Sequence, residues 1–213
     1  MSFYGEHVLP RLIDVIMRAR DTHGLRAQVA SELTGEVLEI GFGSGLNVPF
    51  YPAGLTRVYA LDPATAGRRL AAGRVAASPV PVEYIGLDAQ RIPLADGSVD
   101  SVLTTWTLCT IPDPAQALAE VRRVLRPGGA LHFAEHGRSP DPKVARRQDL
   151  LEPLQQRVFG GCQLTRPIGQ LISASGLELD GLMAYYRPGP PTTSYTYQGR
   201  ARRQPARDST DRT

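Results

Sequence analysis

Val37-Leu38-Glu39-Ile40-Gly41-Phe42-Gly43-Ser44-Gly45 is the stretch on which the reading of this chain turns. A short apolar run, interrupted by one carboxylate, leads into three glycines on alternate positions. The run has the length and composition of a buried strand. Glycines at every second residue let the loop take up positive φ and let its backbone approach a ligand closely. Residues 46–51 are then expected to open a helix whose free N–H groups face the same ligand. Spacing separates the candidate ligands. A dinucleotide fingerprint requires G-x-G-x-x-G, and counted from Gly41 its third glycine falls on Leu46. The pattern present is E-x-G-x-G-x-G.

Outward from this loop, short apolar runs alternate with helical stretches. Residues 57–62, 82–87, 98–105 and 130–135 read as further strands, and 63–77 as a helix weakened by Gly67 and Gly73. Asp113-Pro114 is a helix start, with a capping carboxylate and proline in the first turn. Arg126-Pro127-Gly128-Gly129 is expected to end that helix as a turn. Residues 143–159 and 167–175 read as helices, and 177–186 and 193–201 as strands joined across Pro188-Gly189-Pro190-Pro191. So short a connection joins antiparallel neighbours only. Near-continuous apolar strands alternating with helices predict a parallel sheet covered on both faces. Before the first strand, residues 7–20 form an amphipathic pattern, with Val8, Leu12 and Ile16 in one row and Leu9, Ile13 and Met17 in the next. Its polar face is not strongly basic, so packing on the domain is expected rather than membrane-surface docking. A second helical piece is expected at 25–33.

Composition excludes several classes. The 213 residues suit one domain with a sizeable core. The net charge of +3 is supplied by the Arg-rich segment 200–213, so the body is near neutral, and no basic stripe interleaved with aromatics points to nucleic acid. The longest uncharged run, 40–56, contains glycine, proline and asparagine and is shorter than the about 20 apolar residues of a spanning helix. No leader pattern opens the chain. The two cysteines, Cys109 and Cys162, are too few for a disulfide scaffold and read as reduced thiols. The chain is therefore read as soluble and cytoplasmic, without stable membrane insertion. Neither H-x-x-x-H nor C-x-x-C occurs, so no protein metal site is expected.

Ligands of open α/β sheets bind at the carboxyl ends of the strands, and the chemistry-bearing residues stand there. Asp62 closes the second strand and reads either as acceptor for a ribose diol or as cap for the following helix. Asp88, in Gly86-Leu87-Asp88-Ala89-Gln90, reads as an adenine acceptor or a solvated loop carboxylate. Glu39 either holds a ligand ammonium or orients the glycine loop. Trp106, after Thr104-Thr105, walls a pocket or fills the core. Cys109 reads chiefly as a small buried hydrophobe. His136, in Glu135-His136-Gly137, is a general-base candidate or a hydrogen-bonded structural group. His7 could cap the pocket from the N-terminal helix. The loop Gly160-Gly161-Cys162-Gln163-Leu164-Thr165-Arg166 carries no role that the sequence defines.

With these residues stated, a resemblance can be given. Residues 36–137 resemble the methyltransferase domain of small S-adenosylmethionine-dependent enzymes of class I. The likeness to a bacterial phosphatidylethanolamine- or ubiquinone-methyltransferase-like subgroup, also similar to animal alkyl-thiol methyltransferases, extends to about residue 201. It rests on Tyr4-Gly5-Glu6-His7-Val8-Leu9-Pro10, on VLEIGFGSGLNVPFYP from Val37, Leu61-Asp62-Pro63, TWTLCTIPDP from Thr105, RRVLRPGG from Arg122, FAEHGRSPD from Phe133 and GGCQLTRPI from Gly160. Gln163 and Gln90 stand where relatives often carry His and Glu.

The resemblance implies a Rossmann-like three-layer sandwich with a seven-stranded, mostly parallel sheet whose last strand is antiparallel. It implies a helical cap at 1–35, a cofactor-binding domain at 36–201 and a disordered Arg-rich tail at 202–213. S-adenosylmethionine contacts are implied at Glu39, Gly41, Gly43, Gly45 and Asn47 of the glycine loop, at Asp62 and Pro63, at Asp88 and Ala89, and at Thr105. Tyr4, His7, Trp106 and Cys109 are expected in the acceptor pocket. The expected reaction is metal-independent, in-line methyl transfer to a small apolar acceptor, a thiol before a phospholipid amine or a quinone. A nicotinamide dehydrogenase, disfavoured by Leu46, and a non-catalytic cofactor-binding subunit are the rival classes. The oligomeric state is not legible.

Overall fold

A computed structural model describes residues 9–17 and 20–205. Seven strands, β1 (Glu36–Ile40), β2 (Arg57–Leu61), β3 (Val82–Gly86), β4 (Val99–Thr105), β5 (Leu125–His136), β6 (Glu178–Tyr186) and β7 (Tyr195–Arg202), form one sheet in the order β3-β2-β1-β4-β5-β7-β6. β1 to β5 pair in parallel, and β7 runs antiparallel to both β5 and β6. The expected sheet with its antiparallel last strand is found. From β1 the chain winds outward through β2 and β3 on one side, while β4 and β5 lie on the other. The crevice between the ends of β1 and β4 is therefore the topological switch point where such sheets bind ligands.

Alternation along the strands sends side chains to two cores. Leu38, Val102, Leu131 and Phe133 pack with Leu118 and Val121 of α4 (Pro114–Val124) and Ile168 and Ile172 of α6 (Ile168–Ala174). Val37, Val58, Leu103 and Ala134 pack on the other face with Leu25 and Val29 of α2 (Arg20–Ala30) and Ala71 of α3 (Thr65–Ala76). Both faces are covered, so strands such as β1 are buried almost throughout. Asp113 caps α4 as its position predicts, accepting from Gln116 N at 3.0 Å.

Four local expectations change. Residues 46–51 form only a 3-10 turn, Val48–Phe50, because Pro49 and Pro52 withhold the donors a longer helix needs. The N–H groups of the glycine loop bond back to the protein, Gly41 and Phe42 to Leu61 O, Gly43 to Asp62 Oδ2 and Gly45 to Phe42 O. Arg126-Pro127-Gly128-Gly129 lies within β5, which starts at Leu125. The register jumps between Val99 and Ser101 to absorb it, and a Cβ on Gly129 would stand 2.7 Å from Asp100 O. The last connection includes one helical turn, α7 (Pro191–Ser194), before β7. β7 runs through Arg202, and Arg203 donates to the carbonyls of Arg122, Arg123 and Leu125. The tail therefore begins later than residue 202, and 206–213 lie outside the described residues.

The N-terminal helix also differs. α1 (Leu9–Ile16) buries Asp14, which accepts from Ser44 Oγ at 2.6 Å and pairs with Arg74 at 3.3 Å. Leu12, Ile13, Val15 and Ile16 are 39–68% exposed, so the polar side of α1 meets the domain and much of the apolar side does not. Asp14 docks α1 through Ser44 of the glycine loop and Arg74 of α3. α5 (Pro142–Val158) follows β5, as expected. No helix among the described residues is long and apolar enough to cross a membrane.

Candidate functional site

Gly41, Gly43 and Gly45 all have positive φ, at 77°, 52° and 73°. A Cβ on Gly41 would fall 1.9 Å from Thr107 Oγ1, so β1 can end beside the loop after β4 only with glycine there. Asp62 ties the loop to the end of β2. Its Oδ2 accepts from Gly43 N at 2.8 Å and its Oδ1 from Ala64 N at 2.6 Å. Asp62 lines the cavity and braces the glycine loop and the turn before α3, but it is not the helix cap, since Ala64 stands at that position and no side chain caps α3. Burial, which outweighs these backbone bonds, moves its pKa up.

Behind the loop lies a buried polar network that only partly follows the expected set. Asn47 Nδ2 donates to Glu39 Oε1 at 2.9 Å and to Thr105 Oγ1 at 3.0 Å. Tyr51 OH donates to Glu39 Oε2. Arg26 of α2 donates to Asn47 Oδ1 at 2.7 Å and Thr105 Oγ1 at 2.9 Å, while its Nε is buried without a partner. Glu39 is therefore engaged in orienting the loop. Burial holds it up at about 7, against the pull of Tyr51, Asn47 and Arg26. Burial also lowers Arg26 to about 10. Arg26 and Tyr51 were missed in the sequence, where an isolated Arg in a helix and a Tyr after a proline turn carry no spacing signal.

At the other end, Asp88 and Ala89 follow β3 and line the same cavity, beside Pro63. Asp88 Oδ1 accepts from Gln90 N at 2.8 Å and from Gln90 Nε2 at 3.1 Å, and Gln90 Oε1 accepts from Asp113 N at 3.0 Å. Gln90 thus fixes this corner as a neutral bridge.

Beyond β4 the backbone is strained. Trp106 has φ of 51°, the only positive value for a non-glycine among the described residues. That conformation is costly for a bulky side chain and marks a position held by its surroundings. Its ring lies between the guanidinium groups of Arg26, at 4.8 Å, and Arg187, at 5.1 Å. Trp106 lines the cavity, as expected, and its indole N–H is buried without a partner.

Cys109, His136 and Cys162 meet at the floor of this region, their donor atoms all within 4.8 Å of one another. His136 Nε2 is 3.0 Å from Cys162 Sγ, and Nδ1 has no partner. Cys109 is more than the buried hydrophobe expected, and His136 is occupied by a sulfur rather than free as a base. The bond from Cys109, seconded by His136, lowers the Cys162 pKa against burial, and the same bond together with burial raises Cys109. For His136, burial acts downward, but Cys162 outweighs it and the net shift is upward. Glu135 lies behind the cluster, where burial raises it to about 7 although it accepts from Thr107 N and Leu108 N. These three side chains come from separate elements, so no short spacing announces their meeting. Tyr4 and His7 lie outside the described residues.

One cavity of about 850 Å³ contains the glycine loop, Asp62, Asp88, Trp106 and the Cys–His–Cys floor. That volume is at the upper end for small-molecule sites and suits two ligands side by side.

Residues 38–133 match the model of a family described as a methyltransferase domain. Thiol S-methyltransferase TMT1B of Homo sapiens is 40% identical over 142 residues, which cover 61% of this chain and 54% of that protein. Demethylmenaquinone methyltransferase of Clavibacter sepedonicus is 32% identical over 141 residues, covering 64% and 54%. The chain thus spans about half the length of these curated relatives. The solved structure of a SAM-dependent methyltransferase from Methanosarcina mazei aligns with a TM-score of 0.64 at 22% identity, over 80% of this chain and 93% of that one. At that identity the likeness speaks for the fold.

Proposed function

We propose that this chain carries a class I S-adenosylmethionine-dependent methyltransferase domain and that it methylates a small, apolar thiol. The observation carrying the acceptor reading is the second half of the cavity. Ile13, Ile16 and Phe159 stand around a floor of two thiols and an imidazole. Apolar walls favour an apolar acceptor. Thiols need the least base assistance, because a pKa near 8.5 already leaves a few per cent thiolate at neutral pH. The name of the human relative supports the same acceptor class.

The residues present fit the cofactor. Gly43 lines the cavity, and a Cβ there would meet no protein atom nearer than Gly41 O at 3.8 Å, so glycine leaves that space free for a ligand against the loop. In this reading Asp62 takes the ribose diol on its remaining lone pairs, and Asp88 with the Ala89 N–H takes the adenine edge. Arg26, a buried cation with an unpartnered Nε, holds the methionine carboxylate beside Glu39 and Asn47. When bound, S-adenosylmethionine supplies a methyl group made electrophilic by its sulfonium. The chain aligns the acceptor sulfur with that methyl and keeps water out. Trp106, held in place by Arg26 and Arg187, forms the wall between the two halves.

A quinone acceptor is the second reading. The relationship to demethylmenaquinone methyltransferase supports it, as does the exposed apolar side of α1 beside the cavity. Release of S-adenosylhomocysteine from purified protein, with thiol, amine, quinol and phospholipid acceptors, tests these alternatives. Turnover on alkyl thiols alone is expected. Turnover on quinol alone transfers the reading, and cofactor binding without turnover on any acceptor makes the chain a binding subunit. Tight NAD binding with no S-adenosylhomocysteine signal in calorimetry would overturn the premise for both.

A further inference from the structure

The cavity floor brings together a donor set to which the methyl-transfer reading gives no chemical task. Cys109 stands on the loop after β4, His136 ends β5, and Cys162 lies on the loop after α5. All three are more than nine-tenths buried, and all three line the cavity. We propose that Cys109 Sγ, His136 Nε2 and Cys162 Sγ bind a divalent ion of the zinc class, with its fourth position open to the cavity for the acceptor sulfur. Only the assignment of the fourth position rests on the thiol reading; the three-ligand site stands apart from it.

Donor chemistry selects the ion. Two thiolates and an imidazole suit zinc over hard, oxygen-seeking cations, and three protein ligands with an open position are the arrangement of reactive rather than structural zinc sites. Tetrahedral zinc, with bonds of about 2.3 Å to sulfur and about 2.0–2.1 Å to nitrogen, sets its ligand atoms roughly 3.5–3.8 Å apart. The observed atoms lie within 4.8 Å of one another, with His136 and Cys162 at 3.0 Å. Side-chain adjustment alone brings them to an ion.

The surroundings brace the ligands from separate sides. Glu135 holds the N–H groups of Thr107 and Leu108, which fixes the loop that carries Cys109. Gln163 N donates to Cys109 O at 3.0 Å, joining the two cysteine loops directly. Buried Arg166 donates to Leu108 O at 2.5 Å and Ile111 O at 2.6 Å, a second tie between the same loops. Gln155 Nε2 lies 3.5 Å from Cys162 Sγ. This bracing gives the Gly160–Arg166 loop, opaque in sequence, a task. Charge agrees: a dication cancels two buried thiolates that would otherwise be costly to hold away from water.

The acceptor R–SH gives its proton to water on binding and stays as thiolate. Its sulfur forms a bond to the methyl carbon as the bond from that carbon to the sulfonium breaks. The electron pair remains on the departing sulfur, the products are the thioether and S-adenosylhomocysteine, and the ion keeps its oxidation state. A thioether is the poorer ligand and leaves.

Cobalt(II) titration of the reduced, metal-stripped protein tests the site, with zinc content measured on protein grown in zinc. One cobalt per chain is expected, with the strong visible bands of a four-coordinate ion and thiolate-to-cobalt charge transfer in the near ultraviolet. Cys109→Ser, Cys162→Ser and His136→Ala should each weaken cobalt binding by roughly 100-fold or more, while S-adenosylhomocysteine titration shows that each variant is folded. Butanethiol should shift the charge-transfer bands of the cobalt form. Absence of cobalt binding by the reduced, folded protein would overturn the proposal. So would a cobalt spectrum unchanged in both cysteine variants, or a Cys109–Cys162 disulfide whose reduction restores no cobalt binding. Cobalt binding without methylation of any thiol leaves the three-ligand site standing and removes the thiol reading. Thiol methylation with cobalt bands indifferent to butanethiol overturns the role given to the fourth position.

Discussion

Alanine substitutions at two glycines of α3 test whether this helix presses the glycine loop into its cofactor-binding shape. A Cβ on Gly73 meets nothing within 4 Å. Gly73→Ala should therefore stabilise the protein by about 0.5–1 kcal/mol, the usual gain of alanine over glycine in a helix, and leave cofactor affinity alone. A Cβ on Gly67 falls 2.5 Å from Gly43 O and 2.8 Å from Gly43 C. Ordinary contact begins near 3.4 Å, so the loop must yield by about 0.9 Å. Gly43 N is 2.8 Å from Asp62 Oδ2, and a shift of that size along the bond takes it out of hydrogen-bonding reach. A bond to a charged group contributes about 1.5–3 kcal/mol. If binding must restore the loop, S-adenosylhomocysteine affinity falls by about 10- to 150-fold. Stability falls by about 0.5–2.5 kcal/mol, the loss of that bond less the gain in helix propensity. Titration calorimetry beside urea denaturation, on both variants, separates the effects. Wild-type affinity in Gly67→Ala, together with the stability gain of Gly73→Ala, would refute the reasoning.

Asp62→Asn leaves one oxygen for two backbone donors, Gly43 N and Ala64 N; stability should drop by about 1–3 kcal/mol along with cofactor affinity, and a loss confined to stability would make Asp62 a brace alone. Arg26→Met, which removes the bonds to Asn47 and Thr105, should weaken S-adenosylhomocysteine binding by about tenfold or more; unchanged affinity excludes Arg26 from the carboxylate role. Glu39 is raised from 4.5 to about 7 by burial, so the native state holds a proton that the unfolded chain has lost. Its contribution is complete below about pH 4.5 and disappears as pH rises through about 7, a change of about 3 kcal/mol. Buried His132, lowered to about 4, acts oppositely below pH 6.5, so the difference between wild type and Glu39→Gln isolates the effect. The denaturation midpoints of the two should converge at low pH and diverge in favour of the variant by pH 8; a constant difference would contradict the assignment.

Some of this site was legible without coordinates because its signals are local. A glycine at every second position after an apolar strand states a backbone requirement, and Gly41, Gly43 and Gly45 do adopt positive φ. Asp62 and Asp88 were legible because a strand delivers its last residue to the sheet edge whatever the rest of the fold does. Near-continuous apolar runs alternating with helices likewise predicted a sheet covered on both faces, and the short last connection predicted its antiparallel end. Other local signals misled where a contact outside the segment won. Pro127-Gly128-Gly129 reads as a turn, yet Gly129 lies against the β4 backbone and the segment joins β5. α1 reads as a helix that buries its apolar row, yet Asp14 meets Ser44 and Arg74 and turns the helix over.

By itself, then, the sequence determined the order of elements, the ligand-bearing loop and the class of cofactor that loop accepts. The first two follow from conformational limits on neighbouring residues, which need no knowledge of the remainder of the chain; the cofactor class is what the family resemblance implies. Only the tertiary structure decided what surrounds the loop: Arg26 and Tyr51 on the Asn47–Glu39 network, Trp106 between two arginines, and Cys109, His136 and Cys162 on one floor. Those groups stand far apart along the chain. Their chemistry arises from distance, burial and shared protons, quantities that exist only after the sheet has brought their elements together.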